Sequence, residues 1–246
     1  MAVQTQMNIS NIPFIRNGIA ATKDLTILQD AGRSTALAPY TVMGKTCVAA
    51  GSITAAGTNS GNGTCTAFAL AGGREIPIVG NYVAECTVVG STHGGRFKLT
   101  DPNGNILNNM IDLPDTGGGV RVFIGNGITF TLTDGSANFA VGDKFTLAVT
   151  AVNKYRPLNK AGVGGSQFVR GIFIAESVTA AALVAGDVTG QSILIGGGCY
   201  IDKNRLVFEG GETLATILNN GDTIEEALAK MGIWCIDTID ISVYEA

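Results

Sequence analysis

Two aspartates, Asp101 and Asp134, close near-identical stretches of the chain: RFKLTDPNGN from Arg96 and TFTLTDGSAN from Thr129. Paired carboxylates can share a proton or grip a hard cation, so the echo raises acid–base or metal chemistry. The competing reading makes each copy a strand running into a turn. Asn-Gly and Asp-Gly suit the positive-φ positions of hairpins. Phe97/Leu99 and Phe130/Leu132 alternate so that both copies point apolar faces into one core. The second reading is adopted: the echo is architectural, and both aspartates serve turns.

Other constellations fall short of a site. Asp101, Asn103, Asn105 and Asp112 partly match a calcium loop, but Ile106 stands where that loop requires glycine. Gly44-Lys45-Thr46 resembles the end of a phosphate-binding loop. Position 39 is proline rather than glycine, however, and CVAAGSITAAG after it is no helix. His93 is the only histidine; it sits in GSTHGGR with no G-x-S-x-G or H-E-x-x-H to partner it, and it is expected to be a solvent-exposed loop residue. The five cysteines (Cys47, Cys65, Cys86, Cys199, Cys235) lack C-x-x-C spacing and read as small apolar residues of a reducing compartment. A disulfide or zinc site is the competing reading. No catalytic, cofactor-binding or metal-binding residue is expected, and the chain reads as a non-enzyme.

The elements that would position these residues are mainly β. Between about residues 75 and 150, YVAECTVV, GRFKLT, VRVFIG, ITFTLT and KFTLAVTAV are short strands separated by turn clusters, the spacing of a sandwich or barrel. In the first of these, Tyr82, Ala84, Cys86 and Val88 share a face. DLTIL and LAPYTVMGK precede the block, and QFVRGIFIAESVTA, SILIGGGCYID, NRLVFE and the closing IDISVYEA follow it as further strands. Residues 51–66 are rich in Gly, Ser, Thr and Ala and read as a loop or linker. GETLATILNN is a short helix or a loop. One helix period is clear, with Ile224, Ala227, Leu228 and Met231 on one face, Asp222 and Glu225 as capping box and Gly232 as its stop. Residues 1–22 show no period but carry Ile9, Ile12, Phe14 and Ile15 in a polar setting. They read as an extended arm, either a frayed terminus or a strand-like peptide whose apolar residues anchor it on another subunit.

Composition narrows the partners. Charged residues make up 15% of the 246 residues, against a usual share of roughly 25%. The net charge is −4, so nothing draws the surface to nucleic acid or anionic lipid. No apolar run approaches the roughly 20 residues of a membrane span, and MAVQTQMNIS lacks the basic start and apolar block of an export signal. Synthesis in a cytoplasm is expected. A chain this poor in charge is expected to bury much of its exterior against protein partners.

TILQDAGRSTALAPYTVMGK before the strand-rich block reads on into NKYRPLNKAGVGGSQFVRGIFIAESVTAAA after it. With Gly44–Lys45, Lys154–Pro157, Gly171–Ala175, Cys199–Phe208 and Glu225–Ile233, the chain resembles the head decoration proteins of tailed bacteriophages, the group that includes the lambda decoration protein. The block with GGRFKLTDPNGN and NGITFTLTDGSANFAVGDKFTLAV is similar to an inserted β-domain of larger members. The resemblance spans most of residues 23–240. It implies a bent β-ribbon or small-barrel core (23–50 and 151–246) with one short C-terminal helix, an inserted β-sandwich-like domain (51–150) and the N-terminal arm (1–22). It further implies a homotrimer on the outer surface of the expanded capsid, bound to the major capsid protein, with the arm ordering on it and no cofactor. Ile9, Ile12, Phe14 and Ile15 are the candidate capsid contacts, and the inserted domain has a possible host-surface role. A tail-tube or fibre subunit would share the same composition and is the alternative expectation.

Overall fold

The computed structural model describes residues 15–18 and 20–237. In chain order the strands are β1 (Ile15–Gly18), β2 (Ala21–Ile27), β3 (Val42–Ala55), β4 (Thr64–Leu70), β5 (Gly80–Val89), β6 (Gly95–Thr100), β7 (Ile106–Leu113), β8 (Val120–Gly125), β9 (Ile128–Thr133) and β10 (Lys144–Pro157). They continue as β11 (Val169–Phe173), β12 (Val188–Gly196), β13 (Cys199–Asp202) and β14 (Ile233–Ile236). The helices are α1 (Ala180–Ala185) and α2 (Ile224–Lys230). The protein is mainly β and divides into two compact units: one formed by residues up to Thr46 and from Lys154 onward, the other by Cys47–Asn153. The long strands β3 and β10 carry the chain out of the first unit and back into it.

In the first unit β2, β12, β11, the start of β3 and the end of β10 follow one another in that order, and Tyr155 of β10 pairs in parallel with Ile27 of β2. The result is a small closed five-stranded barrel. Its strands carry consecutive apolar residues because both faces are covered. Met43, Phe173 and Ile193 belong to one core with Leu25, Ile27 and Leu183. Their neighbours Val42, Ile172 and Leu194 belong to a second core, shared with Cys199 and Ile201 of β13, Ile233 of β14 and Ile224 and Leu228 of α2. A separate three-stranded sheet runs β1-β13-β14.

Glycine makes the barrel wall possible at two places. A Cβ on Gly44 would lie 2.1 Å from the carbonyl oxygen of Ser166, so β3 can pass the 164–167 turn only there. Gly44–Lys45 is therefore strand backbone in close approach to a turn. Gly171 has φ +146°, and a Cβ there would meet the Leu194 carbonyl oxygen at 2.3 Å.

α2 begins one residue later than its expected cap. Thr223 is the N-cap, and Glu226 completes a reciprocal capping box, while Asp222 binds Lys230 Nζ at 2.7 Å. Gly232 ends the helix at φ +76°. α1 was not expected. Only Ala180 of AAALVA falls in a stretch read as strand; Thr179 accepts the Ala182 N–H and starts a helical turn that buries Leu183. NRLVFE is not a strand either: a 3-10 turn covers Lys203–Arg205, and Val207 makes only an isolated bridge to Thr41. GETLATILNN is a series of turns. IDISVYEA, which begins at Ile239, lies outside the described residues.

The second unit is a sandwich. One sheet places β5, β6 and β7 in sequence beside β10, which itself neighbours β3; the other runs β4-β9-β8. Tyr82, Phe97, Leu99, Phe145 and Leu147 of the first face Phe123, Phe130 and Leu132 of the second in a single core. Phe139 stands edge-on to Phe97 at 5.0 Å and to Phe145 at 6.0 Å. The echoed Phe-x-Leu pairs thus do share one core. Asn126 and Gly127, at φ 53° and 74°, form the two-residue turn between β8 and β9.

Two expectations fail here. Residues 51–55 are the end of β3 and Thr64–Thr66 the start of β4, leaving only 56–63 as a loop. Two of its glycines have a steric reason, since a Cβ on Gly61 would lie 2.8 Å from Phe139 Cα and one on Gly63 2.2 Å from the Phe139 ring. Val88 does not share a face with Cys86: the register of β5 on β6 shifts between them, and Val88 turns outward.

Candidate functional site

The strongest clustering of polar side chains lies in the second unit, on the loops that end its strands. Asp101 is buried in its own turn. Its Oδ1 accepts the N–H groups of Asn103 and Asn105 at 2.9 and 2.8 Å, and its Oδ2 accepts the Asn105 amide at 3.0 Å. Those bonds, led by the Asn105 amide, hold its carboxyl below the usual range despite burial. Asp101 therefore does serve a turn, as expected.

Asp134 does not. Its Oδ2 lies 3.0 Å from His93 Nδ1, its side chain is fully buried, and its Oδ1 has no hydrogen-bond partner. His93 is thus neither isolated nor a free loop residue: its side chain is 29% exposed and held by a carboxylate 41 residues away. Its loop is pinned from the other side as well. Asp115 accepts the N–H groups of Ser91, Thr92 and His93 and the Ser91 hydroxyl. That hydroxyl, followed by the His93 and Thr92 N–H groups, lowers the Asp115 pKa to about 2.

A buried carboxylate orienting an imidazole is two-thirds of a hydrolytic triad. On its Nε2 side the ring approaches Gly117, where a Cβ would lie 3.5 Å away. Asp143, also buried, repeats the loop-pinning role. Burial works to raise its pKa, but the N–H groups of Ala140, Gly61 and Ser60 outweigh it and the net shift is downward. Among the described residues no three His, Cys, Asp or Glu side chains are placed to hold a metal ion. None of the five cysteines is in a disulfide, and Cys65, Cys86 and Cys199 are buried. Burial pushes the Cys65 thiol up to about 12.

In the first unit, the Arg33 guanidinium makes a two-pronged ion pair with Glu209 and also donates to the carbonyl oxygens of Thr35 and Ala36. It clamps the 30–37 loop.

Surfaces suited to contact are easier to find. β8 is the outer strand of its sheet, and Val120, Val122 and Ile124 all stand exposed on it, opposite Thr133, Thr131 and Thr129 of β9. Tyr200 of β13 and Trp234 of β14 are half-exposed cross-strand neighbours with ring centroids 5.3 Å apart. Sequence reasoning missed both surfaces. The available signals were the outward Val-x-Val-x-Ile of VRVFI and the aromatic residues at matching positions of CYID and IWCI.

Of the arm candidates, Ile9, Ile12 and Phe14 lie outside the described residues. Ile15 opens β1, which pairs antiparallel with β13 of the same chain, Ile15 opposite Ile201. β2 then begins at Ala21, so residues 15–18 and 21–22 belong to the fold of their own unit and not to a free arm.

No family model and no curated protein matches the chain. Two crystal structures of FlgL from Xanthomonas campestris are similar to it over part of their length, at 15% and 14% identity with TM-scores of 0.30 and 0.28. The matches cover 62% and 58% of this chain and 41% and 46% of FlgL, so the chain spans less than half the length of these neighbours.

Proposed function

We propose that the protein is a non-enzymatic decoration subunit. It binds the major capsid protein on the outer surface of an expanded phage head, as a homotrimer, and stabilises the shell. The observation that carries this reading is the architecture of the first unit: a small closed barrel assembled from two separate segments, with a complete sandwich entering between Thr46 and Lys154. That is the arrangement expected of a decoration core carrying an inserted domain. The low share of charge and the uncharged outer row of β8 add support, because a subunit with self and capsid interfaces needs few surface charges.

The mechanism is selective binding. A ligand that fits only the expanded lattice stabilises that lattice by its own binding free energy. Each trimer bridges neighbouring capsid subunits, so separating them requires breaking its contacts. The N-terminal residues supply part of that energy. Ile9, Ile12 and Phe14 precede β1, and truncating any one of them to Ala costs about 1–3 kcal/mol per copy where it is buried on the capsid.

Co-sedimentation with expanded, undecorated heads tests the arm. Deleting residues 2–14 is expected to weaken head binding at least roughly tenfold, the loss of about 1.4 kcal/mol or more. Undiminished binding removes the arm from the mechanism. Electron microscopy of the purified protein distinguishes the tail-tube or fibre alternative, which would give rings or tubes in place of trimers.

A further inference from the structure

We propose that β8 is a self-association edge, on which a second copy of this chain adds its own β8 antiparallel across a two-fold axis. The free groups of the strand follow from its pairing with β9. Gly125 and Ile128 flank the two-residue turn and form a hydrogen-bonded pair, and such pairs alternate along an antiparallel ladder. Phe123–Phe130 and Arg121–Leu132 continue the series, and at its end the Asp134 N–H donates to the Gly119 carbonyl oxygen at 2.8 Å. The N–H and C=O groups of Val120, Val122 and Ile124 therefore point the other way, to the open edge, and have no partner among the described residues. Their side chains stand on the outer face, 51%, 54% and 72% exposed.

Neighbouring edges of the same unit are blunted, and this one is not. β4, at the other edge of that sheet, breaks register on β9 between Thr66 and Ala69, with Ala67 at φ 52°. β7 shifts register twice on β6, the Asn108 side chain accepts the Met110 N–H, and the Asp112 carbonyl oxygen accepts Arg121 Nε–H. β8 keeps unbroken register over its whole length and contains no proline. Its one charge, Arg121, is turned back onto β7. An unprotected apolar edge invites another strand, and the sequence of β8 matches itself. With Val122 on the two-fold axis, Val120 lies opposite Ile124 of the second copy and Val122 opposite its own counterpart. Every outward N–H and C=O group of the three residues then pairs, and the exposed apolar row runs on without a gap. No charge faces a like charge, because Arg121 falls opposite Phe123. Past the strand ends, Gly125 and Asn126 meet Gly119 and Gly118 of the second copy, which carry no side chains to collide. A two-fold contact is distinct from the contacts that close a homotrimer, and β8 pairing does not depend on head binding. Two such short strands bury less than the roughly 1,200 Å² of a stable interface, so the pairing is weak in free solution and is read best by trapping it.

Cysteine substitutions in the full-length protein, mildly oxidised at high protein concentration and read on non-reducing gels, test both the pairing and its register. Val122→Cys should form linked dimers well above any wild-type background, because the Cα atoms of a hydrogen-bonded pair lie about 5.5 Å apart, within disulfide reach. Val120→Cys and Ile124→Cys should each fail to link alone, since like positions are then roughly 13 Å apart along the strands. Mixed together, those two proteins should link to each other. Adding Val122→Pro to both members of the mixture removes the central outward N–H at an edge position, where proline is tolerated, and should return the linked product to background. Far-UV circular dichroism establishes that each variant is folded. Absence of linkage in Val122→Cys overturns the proposal. Equal linkage by all three single variants also overturns it, because that pattern is chance collision and not a register. So does undiminished linkage between the folded proline variants.

Discussion

Asp143 and Asp115 each collect several N–H or hydroxyl donors from a neighbouring loop, Asp101 collects them from its own turn, and each is held in its charged form by them. Stability contributed by a carboxyl with a depressed pKa is present above its unfolded value and disappears as pH falls through its folded value. For Asp115 that window runs from 3.8 down to about 2. Urea midpoints measured across this range should fall with decreasing pH, and Asp115→Asn should flatten the fall; an identical slope in the variant would show that the loop is pinned by something else. Asp134 and His93 behave as a pair. Removing His93 leaves a fully buried carboxylate with neither oxygen bonded, a cost of about 1–3 kcal/mol. A cycle of His93→Ala, Asp134→Asn and the double variant should therefore show coupling of about 1 kcal/mol or more in chemical denaturation, with additivity as the contrary result. The role of Asp101 could be read from the sequence because Asn103 and Asn105 lie within its own turn. That of Asp134 could not, since its partner is 41 residues upstream and no local pattern joins them.

Strands whose residues alternate in polarity, such as GRFKLT and ITFTLT, announce themselves; strands built of small residues do not. The end of β3 is GSITA, with weak intrinsic preference, and it is a strand because β10 lies alongside it and supplies its ladder. Gly51 is part of that fit, since a Cβ there would lie 2.9 Å from the Ala148 carbonyl oxygen. α1 is hidden for a related reason: six residues with one buried side chain leave no helix period to detect. Steric necessity at Gly44 gives the sharpest test of the barrel. Gly44→Ala forces a carbon against Ser166 backbone and should cost about 1–3 kcal/mol or more in thermal or chemical unfolding, while a neutral result would mean that the 164–167 turn readily moves away. For α2, Thr223→Ala should lose about 1 kcal/mol, a larger loss than from Asp222→Ala, whose carboxylate serves an exposed ion pair. The reverse order would restore Asp222 as the cap.

At the scale of the whole chain, the resemblance implied an inserted domain over 51–150, and the two compact units divide at 46/47 and 153/154. What the sequence concealed was the use of the surface. Apolar residues in a β-rich chain read as core until the pairing shows which face each occupies; Val120, Val122 and Ile124 prove to face outward. On the proposed reading these outward rows and the N-terminal residues exist to meet other subunits, and the fold's purpose is to hold them at fixed spacing on a lattice. Electron cryomicroscopy of expanded heads assembled without this protein, imaged before and after its addition, tests that claim most directly. The account predicts new density on the outer surface at three-fold and quasi-three-fold positions, three copies to each. Bare three-fold positions under saturating protein would contradict it.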